Sequence, residues 1–199
     1  MNGYQVIAII ELVVFYAAYF LKLFNQKKRG IQTSQLGKGG EHNGSIKSKR
    51  TLVVEQVLKL ASFLIIPAEI ISILLVDINS KYNWFRVLGL ILAAIGTAFF
   101  ISAMITMRDS WRAGIPDQDK TELVVKGIYN ISRNPAFLGF DMVYIGIYLA
   151  FSNLPLPFFT VFAILAMHLQ ILEEEKFLSK AFGEPYDQYK KRVGRYFII

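Results

Sequence analysis

Two polar clusters near the carboxyl end of the sequence carry the residue types best suited to bind a charged ligand. The first contains Arg133 and Asn134, and the second is the acidic triplet at residues 173–175. Carboxylates bind cationic or hydroxyl groups through charge-assisted or ordinary hydrogen bonds, and a guanidinium binds a carboxylate through a bidentate fork. An apolar stretch separates the two clusters. They can therefore meet only if the chain between them doubles back.

The acidic triplet lies in a segment with helical spacing of polar residues. On a continuous helix, Gln170 and Glu174 share one face, and His168 is nearly aligned with Glu175 seven residues later. This pattern predicts a polar row along the helix. A second interpretation makes the glutamates the solvated start of a terminal helix, paired with neighbouring lysines. The local sequence is compatible with both.

A segment bounded by two glycines, residues 127–139, is predicted to form the other wall of a site. Gly127 allows a turn with unusual backbone angles, Pro135 suits the first turn of a helix, and Gly139 permits the close approach of a helix or ligand. Arg133 is expected to bind a carboxylate beside that helix start. The alternative is an interfacial arginine whose guanidinium reaches lipid phosphates.

The order and spacing of these residues resemble the isoprenylcysteine carboxyl methyltransferase family of integral-membrane enzymes. The family pattern is roughly G-x-Y, R-H-P-x-Y-x-G, a pair of glutamates, and F-G-x-x-Y, and its counterparts here fall within residues 121–199. Asn134 stands where the family usually has His, and Phe137 where it often has Tyr.

The resemblance implies S-adenosylmethionine as the cofactor and S-adenosylhomocysteine as its product. By correspondence with the family, the predicted cofactor contacts come from both clusters and the segment before the first: Leu123, Val124, Val125, Tyr129, Asn134, Pro135, Phe137, Glu174 and Glu175. Gln170 occupies the place of an arginine that faces substrate in the family. We predict Arg133, Gln170 and His168 as the residues of the reaction centre.

Composition identifies a membrane protein independently of that resemblance. Apolar residues make up 54% of the 199 residues, and the mean hydropathy of +0.40 is too high for a soluble protein of this size. The length predicts one domain, residues 1–199. The chain has no cysteine and two histidines, His42 and His168, so we predict neither disulfides nor a metal site.

Apolar segments of about 20 residues predict an all-α fold with about five transmembrane helices. The turn-forming residues 152–155 make the last two spans a helical hairpin, and a polar, amphipathic cytosolic helix is predicted to follow over residues 173–192. The predicted spans are 4–24, 52–76, 85–107, 135–151 and 156–172.

The distribution of basic residues predicts an outer N terminus and a cytosolic C terminus. Eighteen lysines and arginines then fall in cytosolic segments, whereas Lys81 and Arg86 alone fall in outer loops. No basic residue precedes the first span, which favours a retained anchor over a cleaved signal peptide. The net charge of +7 is expected to contact anionic lipid headgroups of the bilayer rather than nucleic acid. The sequence indicates no obligate protein partner.

Other polar features have less specific interpretations. Residues 34–48 are rich in Gly, Ser and Lys and predict a mobile cytosolic loop that includes His42. Glu11, Glu69 and Asp141 lie within predicted spans, where an ionisable group is costly unless it has a partner. For Glu11 and Glu69 we expect hydrogen bonds between helices. Asp141 is placed either in such a bond or near the site.

The chemistry expected from the resemblance is methyl transfer from S-adenosylmethionine to a lipophilic acceptor such as the carboxylate of a prenylated cysteine. A carboxylate is already ionised at neutral pH and needs no general base. An amine or thiol acceptor, including a phospholipid amine, is the alternative, with His168 or Asp141 as base. An NADPH-dependent sterol reductase and a non-catalytic transporter or scaffold are further alternatives from other classes.

Overall fold

The computed structural model describes residues 1–38, 47–76, 83–115 and 122–197, and almost all of its regular structure is helical. The helices are α1 (Gly3–Lys28), α2 (Lys49–Leu75), α3 (Asn83–Met107), α4 (Pro135–Ala150), α5 (Leu156–Phe182) and α6 (Glu184–Arg192), with short 3-10 helices at Arg108–Ser110 and Gly127–Asn130. Between residues 152 and 155 the chain turns from α4 into α5. The predicted all-α fold is therefore confirmed.

Four of the described helices are long and apolar enough to cross a membrane, and α4 is a shorter apolar helix beside them. Large apolar side chains such as Val13, Phe63, Ile105 and Phe158 are exposed on the outside of the bundle. Since water would penalise such a surface and lipid would not, the outer surface has the character of a lipid-facing one. The protein is a multi-pass membrane protein.

Helices α1 to α5, the apolar helices of the described residues, alternate in direction, so their ends form two layers. At one end, the Thr51 hydroxyl donates to Glu173 Oε2 over 2.9 Å, and Lys22 Nζ donates to the Arg108 carbonyl over 2.7 Å. At the other end, Gln5 Nε2 donates to the Ile73 carbonyl over 2.7 Å. We call the first layer the polar end and the second the far end. The chain begins at the far end and finishes at the polar end.

Helices α3 and α4 pack with their backbones in close approach. A Cβ atom added at Gly96 would lie 2.7 Å from the Gly139 carbonyl oxygen, and one added at Gly139 would lie 2.6 Å from the Gly96 carbonyl oxygen. The same pairing recurs seven residues away between Gly89 and Gly146. Only small residues permit such contact. The prediction that Gly139 allows a helix to approach is thus confirmed, and the approach holds the start of α4 near the polar end of α3.

The acidic triplet belongs to α5 and does not begin a separate helix. Helix α5 continues without a break through residues 173–175 to Phe182, and the break comes at Gly183, before α6. The single helix predicted over residues 173–192 is therefore divided between the end of α5 and α6, and the break coincides with a glycine at positive φ. All three glutamates therefore take their directions from α5.

The loop predicted to be mobile differs in the structure. The described residues 34–38 and 47–48 of that loop pack against the bundle, with Gln35 and Lys47 buried. Residues 33–35 also pair with Ala113, whose carbonyl accepts from the Gln35 amide over 2.8 Å. Residues 123–125, predicted as cofactor contacts, lie in a segment that is neither helix nor strand. His42, Lys81 and Lys120 lie outside the described residues.

Candidate functional site

A cavity of about 490 Å³ runs from the polar end into the bundle. Its volume falls in the range of small-molecule sites, roughly 300 to 1,000 Å³. Near the polar end it is lined by Glu174, Tyr129 and Asn134, and deeper by Tyr19, Phe140 and other apolar side chains. The same space therefore joins a polar chamber to an apolar arm.

Glu174 supplies a carboxylate to the polar chamber. The fully buried Gln170 donates from Nε2 to Glu174 Oε1 over 3.0 Å, one helical turn away on α5. That bond orients the carboxylate, and Glu174 itself is only partly buried. Gln170 does not line the cavity, so the structure places it behind Glu174. The predicted alignment of Gln170 with Glu174 is confirmed.

Glu175 lies outside the cavity lining and forms ion pairs instead. Its Oε1 is 2.8 Å from Arg133 Nη2, and its Oε2 is 2.8 Å from Arg195 Nη2. Hydrogen bonding to this carboxylate raises the pKa of the Arg195 guanidinium above its ordinary value. Among the described residues, the nearest partners of Glu175 are thus cations of the protein itself.

Arg133 ties the end of the chain to the start of α4. Its Nη1 donates to the carbonyls of Val193 and Lys190 over 2.7 and 3.1 Å, and its backbone amide donates to the Gly194 carbonyl over 3.0 Å. Arg133 also lines the cavity, and its buried Nε has no hydrogen-bond partner in the part of the chain that the structure describes. One guanidinium edge is therefore committed to the fold, while Nε remains available to a ligand.

Glu173 faces away from the other two glutamates. It accepts from the Thr51 hydroxyl, and its Oε1 lies 2.8 Å from Lys176 Nζ and 3.2 Å from Arg50 Nε. The interpretation of the triplet as glutamates paired with lysines therefore holds for Glu173. Successive residues of a helix point about 100° apart, so each of the three glutamates lies in a different environment.

Tyrosines surround the polar chamber near Glu174. The buried Tyr129 accepts a hydrogen bond at its carbonyl from the Tyr189 hydroxyl over 2.6 Å. Burial raises the pKa of Tyr189 to about 12, and burial also raises the pKa of Tyr129 and Tyr186. These phenols are neutral at physiological pH. Together with the Glu174 carboxylate, their rings suit a cationic ligand.

The remaining predicted residues divide between lining and support. Leu123, Val124, Asn134 and Phe137 line the cavity, whereas Val125, Pro135 and His168 do not. Pro135 begins α4. Asn134 Nδ2 donates to the Arg195 carbonyl over 3.1 Å, so it joins Arg133 in holding the carboxyl-terminal segment.

His168 is occupied by a neighbouring tyrosine. Its Nδ1 lies 2.6 Å from the Tyr196 hydroxyl, and the two rings stack.

Gly127 has a φ of +62° at the turn before Tyr129, as predicted. The described residues contain no cluster of His, Asp and Glu able to hold a metal ion.

The loops that line one side of the polar chamber were not predicted from the sequence. Gly37 and Ile115 line the cavity, and both donate backbone amides to Glu55, at 2.8 Å to Oε2 and 3.0 Å to Oε1. Lys47 Nζ binds the same carboxylate at 2.9 Å. We call this arrangement the Glu55 clamp. Glu55 and Ile115 are 60 residues apart along the chain, so the glycine-rich loop alone does not predict the clamp.

Tyr186 and Tyr189 also line the cavity and were not among the predicted contacts. Tyr186 is the tyrosine of the F-G-x-x-Y pattern, and Tyr189 follows it three residues later. This pattern is the sequence signal that could have identified them.

Comparison with known proteins agrees with the motifs. The sequence model of the phospholipid methyltransferase family matches residues 84–185. The protein-S-isoprenylcysteine O-methyltransferase of Xenopus laevis is 32% identical over 57% of this chain and 40% of its own length. Protein-S-isoprenylcysteine O-methyltransferase B of Arabidopsis thaliana is 26% identical over 76% of this chain and 79% of its own.

The protein-S-isoprenylcysteine O-methyltransferase of Saccharomyces cerevisiae is 31% identical over 54% of this chain and 46% of its own length. The matched part of the chain thus spans less than half of the frog and yeast relatives. These matches confirm the resemblance drawn from the two polar clusters. Because the family model covers half of the sequence, including Tyr129, Asn134 and Glu174, this chain belongs to the phospholipid methyltransferase family.

Proposed function

We propose that the protein transfers a methyl group from S-adenosylmethionine to a lipophilic acceptor at the cytosolic membrane face, with the carboxylate of a prenylated cysteine or a similar molecule as the preferred acceptor. The observation that carries the proposal is the continuity of one cavity from Glu174 to the apolar arm between the helices. A polar cofactor and an apolar chain need such adjoining surroundings. The names of the relatives support the same class of acceptor.

The residues of the polar chamber fit the cofactor by their chemistry. Glu174, oriented by Gln170, offers an acceptor for the amino group or the ribose hydroxyls. Tyr129 and Tyr186 offer aromatic faces to a cation, and the buried Arg133 Nε offers a donor to a carboxylate. Leu123, Val124 and Phe137 supply apolar contacts.

When bound, S-adenosylmethionine would supply an electrophilic methyl carbon to a carboxylate oxygen of the acceptor. The electron pair of the broken carbon–sulfur bond would stay on sulfur, and no proton would need to move. The protein's contribution is alignment of the two ligands and exclusion of water. The Glu55 clamp serves both, because it fixes the loops of Gly37 and Ile115 beside the chamber.

An amine or thiol acceptor, such as a phospholipid amine, is the second candidate. It needs a base to remove a proton. His168 and Asp141, which the sequence suggested for that role, do not line the cavity. This placement favours an acceptor that is already ionised.

Methyl transfer to two acceptors tests the proposal. The purified protein, with radiolabelled S-adenosylmethionine, is given N-acetyl-S-farnesylcysteine or phosphatidylethanolamine. We expect label in the farnesylcysteine ester, and a loss of about 10- to 100-fold in kcat/KM for Glu174→Gln, because a hydrogen bond to a charged group is worth roughly 1.5 to 3 kcal/mol. Glu173→Gln is the matched control on the same helix. Label in the phospholipid alone would favour the second candidate, and label in neither would refute the proposed chemistry.

The pH profile separates the two kinds of acceptor. A carboxylate of pKa about 3.5 is ionised throughout the neutral range, so the acceptor's own titration adds no rise in rate above pH about 6. An amine acceptor is reactive only when unprotonated, so its rate should go on rising until the pH reaches the amine's pKa. A rate with the farnesylcysteine acceptor that rises as far into the alkaline range as the rate with an amine would contradict direct attack by a carboxylate.

A further inference from the structure

The deep end of the cavity is polar, although apolar side chains line the arm above it. Tyr16, Ser62 and Tyr144 line the cavity there, and we call them the cavity floor. They come from α1, α2 and α4. From the polar ends of these helices the floor is roughly 14 to 20 Å deep, at a rise of 1.5 Å per residue.

The floor contains hydrogen-bonding capacity that the described residues leave unused. Tyr144 is fully buried, and among the described residues its hydroxyl forms no hydrogen bond of ordinary length and angle. The Tyr16 and Ser62 hydroxyls lie close enough to interact with it weakly. Behind it, Tyr16 donates to Glu69 Oε2 over 3.1 Å, while Glu69 Oε1 is buried without a partner. The interhelical bond expected for Glu69 is present, but it satisfies one oxygen only.

Such a floor is unfavourable beneath a purely hydrocarbon ligand. A buried polar atom without a partner costs about 1 to 3 kcal/mol. A ligand with a hydrocarbon end would exclude water from the floor and leave the Tyr144 hydroxyl without a well-formed hydrogen bond. A chain ending in a hydroxyl would satisfy it, because a hydroxyl both donates and accepts.

We propose that the cavity floor is a second recognition site, which binds a neutral hydroxyl group at the end of the acceptor's chain remote from methyl transfer. This inference rests on the proposed function, since it takes the acceptor to lie along the apolar arm with its reacting group near Glu174. It narrows the substrate class from any lipophilic carboxylate to one with a hydroxyl at the distal end.

Affinity for two matched ligands tests the floor without relying on turnover. Both are S-alkylated cysteines with the same fifteen-carbon prenyl chain, and one carries a hydroxyl on its last carbon. Calorimetric titration of the full-length protein, with S-adenosylhomocysteine present, should show about tenfold tighter binding of the hydroxylated ligand, the effect of a single hydrogen bond to an otherwise unsatisfied buried group.

Tyr144→Phe should abolish the preference by weakening the hydroxylated ligand alone. Tyr148→Phe is the matched control, because Tyr148 lies one turn further along α4 and does not line the cavity; it should keep the preference. If Tyr144→Phe fails to fold, Tyr16→Phe gives the same comparison from α1. Equal affinity of the two ligands for the unaltered protein would overturn the inference. A preference that survives both Tyr144→Phe and Tyr16→Phe would overturn it as well.

The two proposals fail in different ways. A tenfold preference without any methyl transfer would refute the proposed function and leave a lipid-binding site. Methyl transfer to both ligands with equal affinity would keep the proposed function and remove the second recognition site.

Discussion

Helix α2 carries two fully buried glutamates, Glu55 and Glu69, whose surroundings differ sharply. Fourteen residues separate them, so they lie on nearly the same face of the helix and roughly 21 Å apart along it. Glu55 accepts from Lys47 and from two backbone amides. Among the described residues, Glu69 accepts from Tyr16 at one carboxylate oxygen, and its other oxygen has no partner.

The difference separates a carboxylate that builds the site from one that stays only partly satisfied behind the cavity floor. Every observed partner of Glu55 belongs to a loop or segment at the polar end, so its carboxylate holds the chamber together. The unsatisfied oxygen of Glu69 sits behind a cavity floor whose hydroxyls are also underused. Burial alone does not distinguish the two roles, whereas the count of satisfied oxygen atoms does.

Glu55→Leu should have the largest effect. It leaves Lys47 buried without its carboxylate, which typically costs about 3 to 5 kcal/mol of the free energy of unfolding. Thermal unfolding in detergent measures that loss. The double variant Lys47→Met with Glu55→Leu should be the more stable of the two, because the uncompensated charge is gone. A single variant as stable as the unaltered protein would mean that Glu55 does not hold the loops.

Glu175→Gln should have the next largest effect, since it is a second satisfied glutamate. It weakens ion pairs to Arg133 and Arg195, whose loss should cost about 2 kcal/mol, the value of a charge-assisted hydrogen bond in a partly buried setting. We expect faster proteolysis near the carboxyl terminus, measured by mass spectrometry. Glu173→Gln is the control, because Glu173 is paired with the exposed side chains of Arg50 and Lys176 and does not contact the terminal segment. Unchanged proteolysis would show that the ion pairs do not retain the terminal segment.

Glu69→Gln should change the free energy of unfolding by less than about 1 kcal/mol, because an amide can still accept from Tyr16 and presents no charge. This small value is the counterpart of the large one at Glu55. Denaturant titration in mixed micelles provides the measurement. A loss as great as that of Glu55→Leu would make Glu69 a structural group and remove the contrast.

Asp109→Asn should have the smallest effect of the series. Asp109 pairs with Arg29 over 2.8 Å, and both side chains are about half exposed. An exposed pair of this kind contributes roughly 0 to 1 kcal/mol. The same unfolding assay gives the scale against which the buried pairs are judged, and a cost above that range would show that the pair is shielded from water.

The sequence predicted the membrane helices well because hydropathy is averaged over about 20 residues. The predicted span 135–151 coincides with Pro135–Ala150 almost throughout, and 52–76 with Lys49–Leu75. The separate helix predicted over residues 173–192 was wrong because polarity marks where a helix meets water or a partner and not where it ends. Here α5 continues to Phe182.

Within the candidate site, the sequence predicted the segments better than the directions of their side chains. Resemblance to the family led to Glu174 and Glu175 together, yet only Glu174 lines the cavity. A motif locates a turn of helix, whereas the rotation of that helix depends on packing such as the glycine contacts between α3 and α4. The Glu55 clamp was not predicted, because the Gly37 and Ile115 amides that bind Glu55 come from distant parts of the chain.

Binding of S-adenosylhomocysteine tests the central claim most directly. Calorimetric titration of the purified protein would be run beside Glu174→Gln, the control Glu173→Gln, and NADPH as a competing nucleotide class. We predict saturable binding to the unaltered protein and the control, about 10- to 100-fold weaker binding to Glu174→Gln, and none of NADPH. Binding of NADPH alone, or equal binding by Glu174→Gln, would contradict the assignment of the polar chamber to a methyl donor.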